Sequence, residues 1–185
     1  MNNVCTILLA RLGSKRLPRK HLKNFSGSTL IEFIFKRAKF LDNWPNFILA
    51  TTSKPEDDEL EKIALEYEIT TFRGSEEDVA QRVIKASKLN DARWVHRLNG
   101  DNVFFDYELI NEAISLISKD TKIELFSNVT KTKTPGFTVE IIRKESLIKN
   151  YQFMSNSQKE HVTKYFYENH DNTNIHWLNN KKNLK

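Results

Sequence analysis

Cysteine occurs once in this chain of 185 residues, at Cys5. A single thiol excludes a disulfide framework and any Cys-based metal site. Its place inside the apolar run VCTILL reads as a small core residue in a protein of the reducing cytoplasm. Glycine and proline are also scarce, at five and four residues, which excludes collagenous and linker-dominated chains. No run approaches ~18 consecutive apolar residues, so no membrane-spanning helix is expected. Met1 to Thr6 lacks the basic start and long apolar stretch of a signal peptide. Neither GxxxxGK[ST] nor GxGxxG occurs, which removes the two common glycine-rich nucleotide loops. Repeats are absent, and compositional bias is confined to a basic, Asn-rich tail.

Cations outnumber anions, 29 Lys and Arg against 24 Asp and Glu, a formal charge of +5. That balance suits an anionic partner: a nucleotide, an acidic sugar, nucleic acid or a membrane surface. The length suits one packed core, so residues 1–185 are expected to form a single domain.

Apolar runs alternate with helical patterns. VCTILL (4–9) has the continuous β-branched character of a strand covered on both faces, and FILAT (47–51) repeats it. Shorter strands are expected at 69–72, 94–98, 125–129, 137–142 and 175–178. Between them, helices are expected from Leu30 to Leu41, from Pro55 through the acidic turn of PEDDELEKIALEYE, from Glu76 to Leu89, and from Tyr107 to Ile117 behind the N-cap Asp106. One further helix is expected over SQKEHVTKYFYEN (157–169). This β-α rhythm predicts a mostly parallel sheet with helices on both faces and ligands at the strands' carboxyl ends.

Directly behind the first strand, LLARLGSKRLPRK places Arg11, Lys15, Arg16, Arg19 and Lys20 in one loop, with His21 next. Backbone N–H groups near Leu12 to Ser14, together with these cations, would meet a polyphosphate there. Elsewhere a comparable run of Lys and Arg is usually a solvated surface; the position behind strand one is what favours phosphate. Clustering at one strand end, with no aromatics interleaved, argues against nucleic acid. His96 alternates with apolar neighbours in WVHRL and reads as a packed histidine.

Ala10 to Lys20 resembles the A-R-x-x-S-x-R-L-P-x-K signature of the cytidylyltransferases that activate acidic sugars, the acylneuraminate and 3-deoxy-manno-octulosonate enzymes. Three further segments are similar to those of the spore coat polysaccharide biosynthesis protein F group: FRGSEEDV (72–79) with Arg82, RLNGDN (97–102), and Glu160-His161-Val162-Thr163. The resemblance implies a Rossmann-like nucleotide-diphospho-sugar transferase fold, CTP as nucleotide and Mg²⁺ as cofactor. Carried over by position, it implies that Arg11, Gly13, Ser14, Arg16 and Lys20 hold the triphosphate, with the Leu9 and Ala10 backbone near the base. Arg11, Lys20 and Asp101 would carry catalysis, and Asp101 would ligate the metal. Arg73 would contact nucleotide or sugar. Asp78 and Arg82 read equally well as an ion pair at helical spacing, and Glu160 as a partner of Lys164. His161 reads first as a surface or packing residue and second as a base.

Two departures stand out. Related sequences often carry an Asp two residues before Glu140, where this chain has Thr138. The family's later D-T-x-E-D segment, whose first Asp completes the metal site, has no counterpart before Lys185, which leaves Glu140 or another carboxylate to fill that place. The reaction implied is attack by a sugar hydroxyl on the α-phosphate of CTP with loss of pyrophosphate. Arg143 or Lys133 is expected to meet the sugar's carboxylate. A glycosyltransferase of the same fold, a non-catalytic nucleotide-binding homologue and a homodimeric assembly are all compatible with the sequence.

Overall fold

The computed structural model describes residues 3–14, 16–117, 122–130 and 136–178. Strand β1 (Val4–Leu9) lies at the centre of the molecule because its side chains are apolar on both faces: Val4, Cys5, Ile7 and Leu8 are all buried. The loop behind it leads to a two-residue hairpin, β2 (Asn24–Phe25) and β3 (Ser28–Thr29). Ser26 and Gly27 turn it with φ of 52° and 83°, the paired positive angles a tight hairpin needs. Thr29 then caps α1 (Leu30–Ala38) through a reciprocal pair of bonds with Glu32.

β4 (Phe47–Thr52), α2 (Asp58–Glu66), β5 (Thr70–Gly74), α3 (Val79–Ala86), β6 (Trp94–Asn99) and α4 (Tyr107–Leu116) continue the alternation. Asp106 caps α4 by accepting from the Leu109 amide at 3.0 Å, as its position predicts. β7 (Leu125–Ser127), β8 (Glu140–Arg143), α5 (Lys144–Asn150), α6 (Asn156–His161), α7 (Lys164–Glu168) and β9 (Ile175–Trp177) complete the described chain.

Seven strands form one sheet in the order β5-β4-β1-β6-β8-β7-β9. All pairings are parallel except the two that β8 makes, with β6 and with β7. The expected mostly parallel sheet is therefore present, with one reversed strand. Alternation along β1 divides the interior in two. Val4 and Leu8 pack with Ile31, Ile34 and Phe35 of α1, Leu60 of α2 and Ile110 of α4. Cys5 and Ile7 pack on the other face with Val83 of α3, Leu147 of α5 and Phe166 of α7. Burial raises the Cys5 thiol to about 11, so it is an inert core residue. No helix among the described residues is long and apolar enough to cross a membrane.

Three elements differ from expectation. The helix expected over 157–169 is two helices, because buried Val162 takes φ 41°, a conformation that breaks a helix and strains a β-branched side chain. The strand expected from Phe137 begins only at Glu140. Before it, Asn128 bonds Phe137 O and the Val139 amide, and Asn102 bonds Thr138, so side chains take the place of a sheet partner. Helix α5 carries too little apolar periodicity to be seen in sequence, burying only Ser146 and Leu147.

Candidate active site

An open cleft of about 1010 Å³ lies at the carboxyl ends of β1 and β6, as expected for an open parallel sheet. Its floor is Leu9, Ala10, Asn99, Gly100 and Asp101; one wall is the basic loop and the other the starts of α3 and α6.

The loop's course is set from beneath. Asp57 is fully buried and accepts from the Leu12 amide at 2.7 Å, the Thr52 amide at 3.1 Å and the Thr52 hydroxyl. It thus ties the start of the loop to the end of β4. The Leu12 carbonyl in turn accepts from the Ser14 and Arg19 amides at 2.8 and 3.0 Å, closing the loop on itself. In sequence Asp57 is one of several acids at a helix start, with nothing to mark it out. Asp57→Ala strands two amides and a hydroxyl. Since hydrogen bonds to a charged group are worth about 1.5–3 kcal/mol each, the variant is expected to lose about 4 kcal/mol or more of stability in urea unfolding.

Among the residues expected to meet the nucleotide, Leu9, Ala10, Arg11, Ser14, Arg16, Lys20 and Asp101 all border the cleft. Arg16 and Lys20 have no acidic partner among the described residues, whereas Arg11 is paired with Glu76 at 2.5 Å. Glu76 also pairs with Lys54, and these two cations hold its carboxyl below the usual range, the Lys54 bond contributing most. Gly13 packs against Glu56 beside the loop and does not border the cleft. Lys15 and Lys133 lie outside the described residues.

Arg73 requires a correction. Its guanidinium bonds the Thr52 and Lys54 carbonyls and pairs with Asp58 at 2.6 Å and Glu61 at 3.0 Å. Each of its three nitrogens is engaged away from the cleft, so Arg73 clamps β5 to α2. Arg143 also lies elsewhere: strand β8 runs antiparallel, which puts it opposite Trp94 at the far end of β6. There it stacks on that ring and bonds the Ile123 carbonyl.

Asp78 and Arg82 do not pair. Asp78 caps α3 through the Gln81 amide and accepts from the Tyr151 hydroxyl at 2.6 Å. Arg82, 3% exposed, donates to the Ser75 carbonyl and still borders the cleft. Burial and the nearby Arg11 cation bring its pKa down to about 10, so it keeps its charge at neutral pH. Lys164 meets Glu168 at 3.6 Å, and Glu160 with His161 lines the cleft instead. His96 is buried, bonded to Thr6 at 3.0 Å and pushed down to about 3 by desolvation, a neutral packed ring as its pattern suggests.

Glu140 is not free to ligate a metal. One oxygen pairs with Arg97 and the other accepts from the Tyr167 hydroxyl at 2.7 Å, in a site where both ionic side chains are about nine-tenths buried. Burial and the adjacent Glu140 charge raise the Tyr167 hydroxyl, keeping it a donor. Removing one member of a buried pair costs about 3–5 kcal/mol. Glu140→Ala is therefore expected to shift the urea midpoint strongly, while the double exchange Arg97→Met with Glu140→Leu recovers much of the loss.

Asp101 is the exposed carboxylate on the cleft floor and has no hydrogen-bond or ion-pair partner among the described residues. No group of three or more His, Cys, Asp or Glu side chains able to hold a metal occurs among them either. One free carboxylate facing a phosphate loop fits Mg²⁺, which takes one or two carboxylates and completes its shell with phosphate oxygens and water.

Comparison with known proteins adds the family. A family model described as cytidylyltransferase matches residues 5–182. Spore coat polysaccharide biosynthesis protein SpsF of Bacillus subtilis is 30% identical over 172 residues, spanning 89% of this chain and 70% of that protein. A 3-deoxy-manno-octulosonate cytidylyltransferase from Elusimicrobium minutum is 25% identical over 80% of this chain and 58% of its own length. The solved structure of a cytidylyltransferase from Leptospira borgpetersenii superposes with a TM-score of 0.93 at 28% identity, covering 99% of this chain and 78% of that one.

Proposed function

The chain belongs to the cytidylyltransferase family, and from that premise we propose that it transfers CMP from CTP to a hydroxyl of an acidic sugar. The observation that carries this reading is the opposition of two uncommitted cations, Arg16 and Lys20, to the uncommitted carboxylate of Asp101 across one cleft. A nucleoside triphosphate brings the negative charge that the first two need. It also brings a cation that the third can hold. The sugar class follows from the relative that acts on 3-deoxy-manno-octulosonate and from the net positive charge.

Under this reading Arg16 and Lys20 grip the β- and γ-phosphates, and the Ser14 hydroxyl and loop amides line the same groove. Arg82 adds a fixed positive charge beneath them. The sugar hydroxyl attacks the α-phosphorus in line and gives its proton to water in the open cleft; the new O–P bond forms as the bond to the bridging oxygen breaks and pyrophosphate departs. Arg11 and Lys20 stabilise charge gathering on the leaving group, which is where preorganised cations contribute most. Asp101 would hold Mg²⁺, whose chemistry there is charge neutralisation at the α-phosphate. The sugar would sit beside the wall formed by Lys159, Glu160 and His161 of α6.

Pyrophosphate release tests the reading. With CTP and Mg²⁺, a panel of 2-keto-3-deoxy sugar acids is expected to support turnover, and CTP is expected to raise the melting temperature more than UDP-sugars do. No release with any acidic sugar, together with stabilisation by a UDP-sugar alone, would overturn it in favour of glycosyl transfer.

A further inference from the structure

His21 has no part in the reading above, yet it touches both halves of the site. Its ring is 2% exposed, with Nδ1 3.0 Å from the carbonyl oxygen of Arg11 and Nε2 3.2 Å from that of Gly100. Arg11 belongs to the basic loop, and Gly100 immediately precedes Asp101. Both partners are acceptors, so the ring alone can donate: a neutral ring bonds one carbonyl and packs against the other, and a protonated ring bonds both. Burial, reinforced by the neighbouring Lys20 charge, lowers the ring's pKa.

Gly100 is shaped to this contact. A Cβ at that position would sit 2.4 Å from His21 Nε2 and 3.0 Å from the Leu9 carbonyl oxygen, and the Gly100 amide already donates to that oxygen at 2.9 Å. The ring, the end of β1 and the end of β6 therefore meet without slack. His21 also lies in the 3₁₀ turn Lys20–Leu22 that closes the loop.

We propose that His21 is a positioning residue, a strut that fixes the separation between the phosphate-gripping loop and the Asp101 carboxylate; this rests on the site reading given above. Mg²⁺ demands near-ideal octahedral geometry at about 2.0–2.1 Å. An ion shared between Asp101 and a loop-bound phosphate tolerates little error in that separation, whereas phosphate held by the loop alone tolerates much more. Loosening the strut removes the metal-dependent part of nucleotide binding and spares the rest.

The test is CTP titration by calorimetry, in Mg²⁺ and in EDTA, on the unaltered protein, His21→Ala, His21→Gln and Gly100→Ala. Gly100→Ala leaves the imidazole in the sequence but forces the ring away, so it reports on the strut if His21→Ala folds poorly. The unaltered protein is expected to gain about tenfold or more in affinity from Mg²⁺. In His21→Ala and Gly100→Ala the gain falls to about twofold or less, with EDTA affinity within about threefold of the parent. His21→Gln, whose amide nitrogen can donate to Gly100, recovers part of the gain. A merely structural role weakens both conditions in proportion to the folded fraction and overturns the strut. An undiminished Mg²⁺ gain in both variants overturns it too, leaving the site reading intact. Absence of any Mg²⁺ gain in the parent removes the Asp101 assignment and the strut with it.

Discussion

Replacing Arg16 and Lys20 together by alanine is expected to weaken CTP binding by about 10²–10⁴-fold while the melting temperature moves by no more than about 2 °C. Each side chain would lose a charge-assisted contact worth about 1.5–3 kcal/mol, and the two sum to about 3–6 kcal/mol if they act independently. Stability should hold because Arg16 is exposed, Lys20 half-buried, and neither pairs with an acid among the described residues. Arg73→Ala is the informative contrast. It breaks ion pairs to Asp58 and Glu61 and two carbonyl bonds, so it should lower stability and leave CTP affinity nearly unchanged. Calorimetry with circular-dichroism melts separates the two patterns. Parental CTP affinity in a well-folded Arg16/Lys20 double variant removes the loop from nucleotide binding.

That contrast also marks what the sequence could and could not convey. VCTILL declares a doubly covered central strand because apolar residues fall on both faces with only Thr6 interrupting, and β4 declares itself in much the same way. The parallel sheet and the cleft at its carboxyl edge follow from the β-α rhythm. The direction of β8 does not follow, since EIIR reads identically either way; its reversal is what sends Arg143 to the wrong end for a substrate and brings Glu140 against Arg97. The resemblance places Arg73 at the nucleotide or sugar, but Asp58 and Glu61, three apart on α2, offer it a ladder of acids instead.

Single side chains that organise a site are the hardest to see. Asp57 and Asp58 are adjacent acids at one helix start, yet one is buried under the loop and the other is on the surface. Only the packing of β4 against the loop distinguishes them. Val162 continues a helical pattern on paper, yet it is buried at a positive φ between α7 and α6, the helix whose Glu160 and His161 line the cleft. Periodicity reports which face is apolar; it carries no information on where the backbone is forced off its preferred angles.

Asp101→Asn should abolish the Mg²⁺-dependent share of CTP binding and cut turnover by about 10²–10³-fold, the usual effect of deleting one preorganised electrostatic group. Asparagine keeps the size of the side chain and one oxygen but gives up the charge that a hard divalent cation requires. The opposite sign is expected without metal. Asp101 faces a polyanion across the cleft, so removing its charge relieves repulsion and CTP in EDTA should bind as tightly as before or somewhat more tightly. Little stability is at stake, because the carboxylate is exposed and makes no hydrogen bond or ion pair among the described residues. Asp106 supplies the control. It lies in the same segment, but its work is to accept from the Leu109 amide at the start of α4, a task asparagine performs almost equally well. Asp106→Asn should therefore change neither metal dependence nor turnover. A titration in which Asp101→Asn keeps the full Mg²⁺ gain would place the metal elsewhere. Since Glu140 is committed to Arg97 and Tyr167, the metal would then pass to another carboxylate bordering the cleft, such as Glu77 or Glu160, and the role proposed for Asp101 would fall.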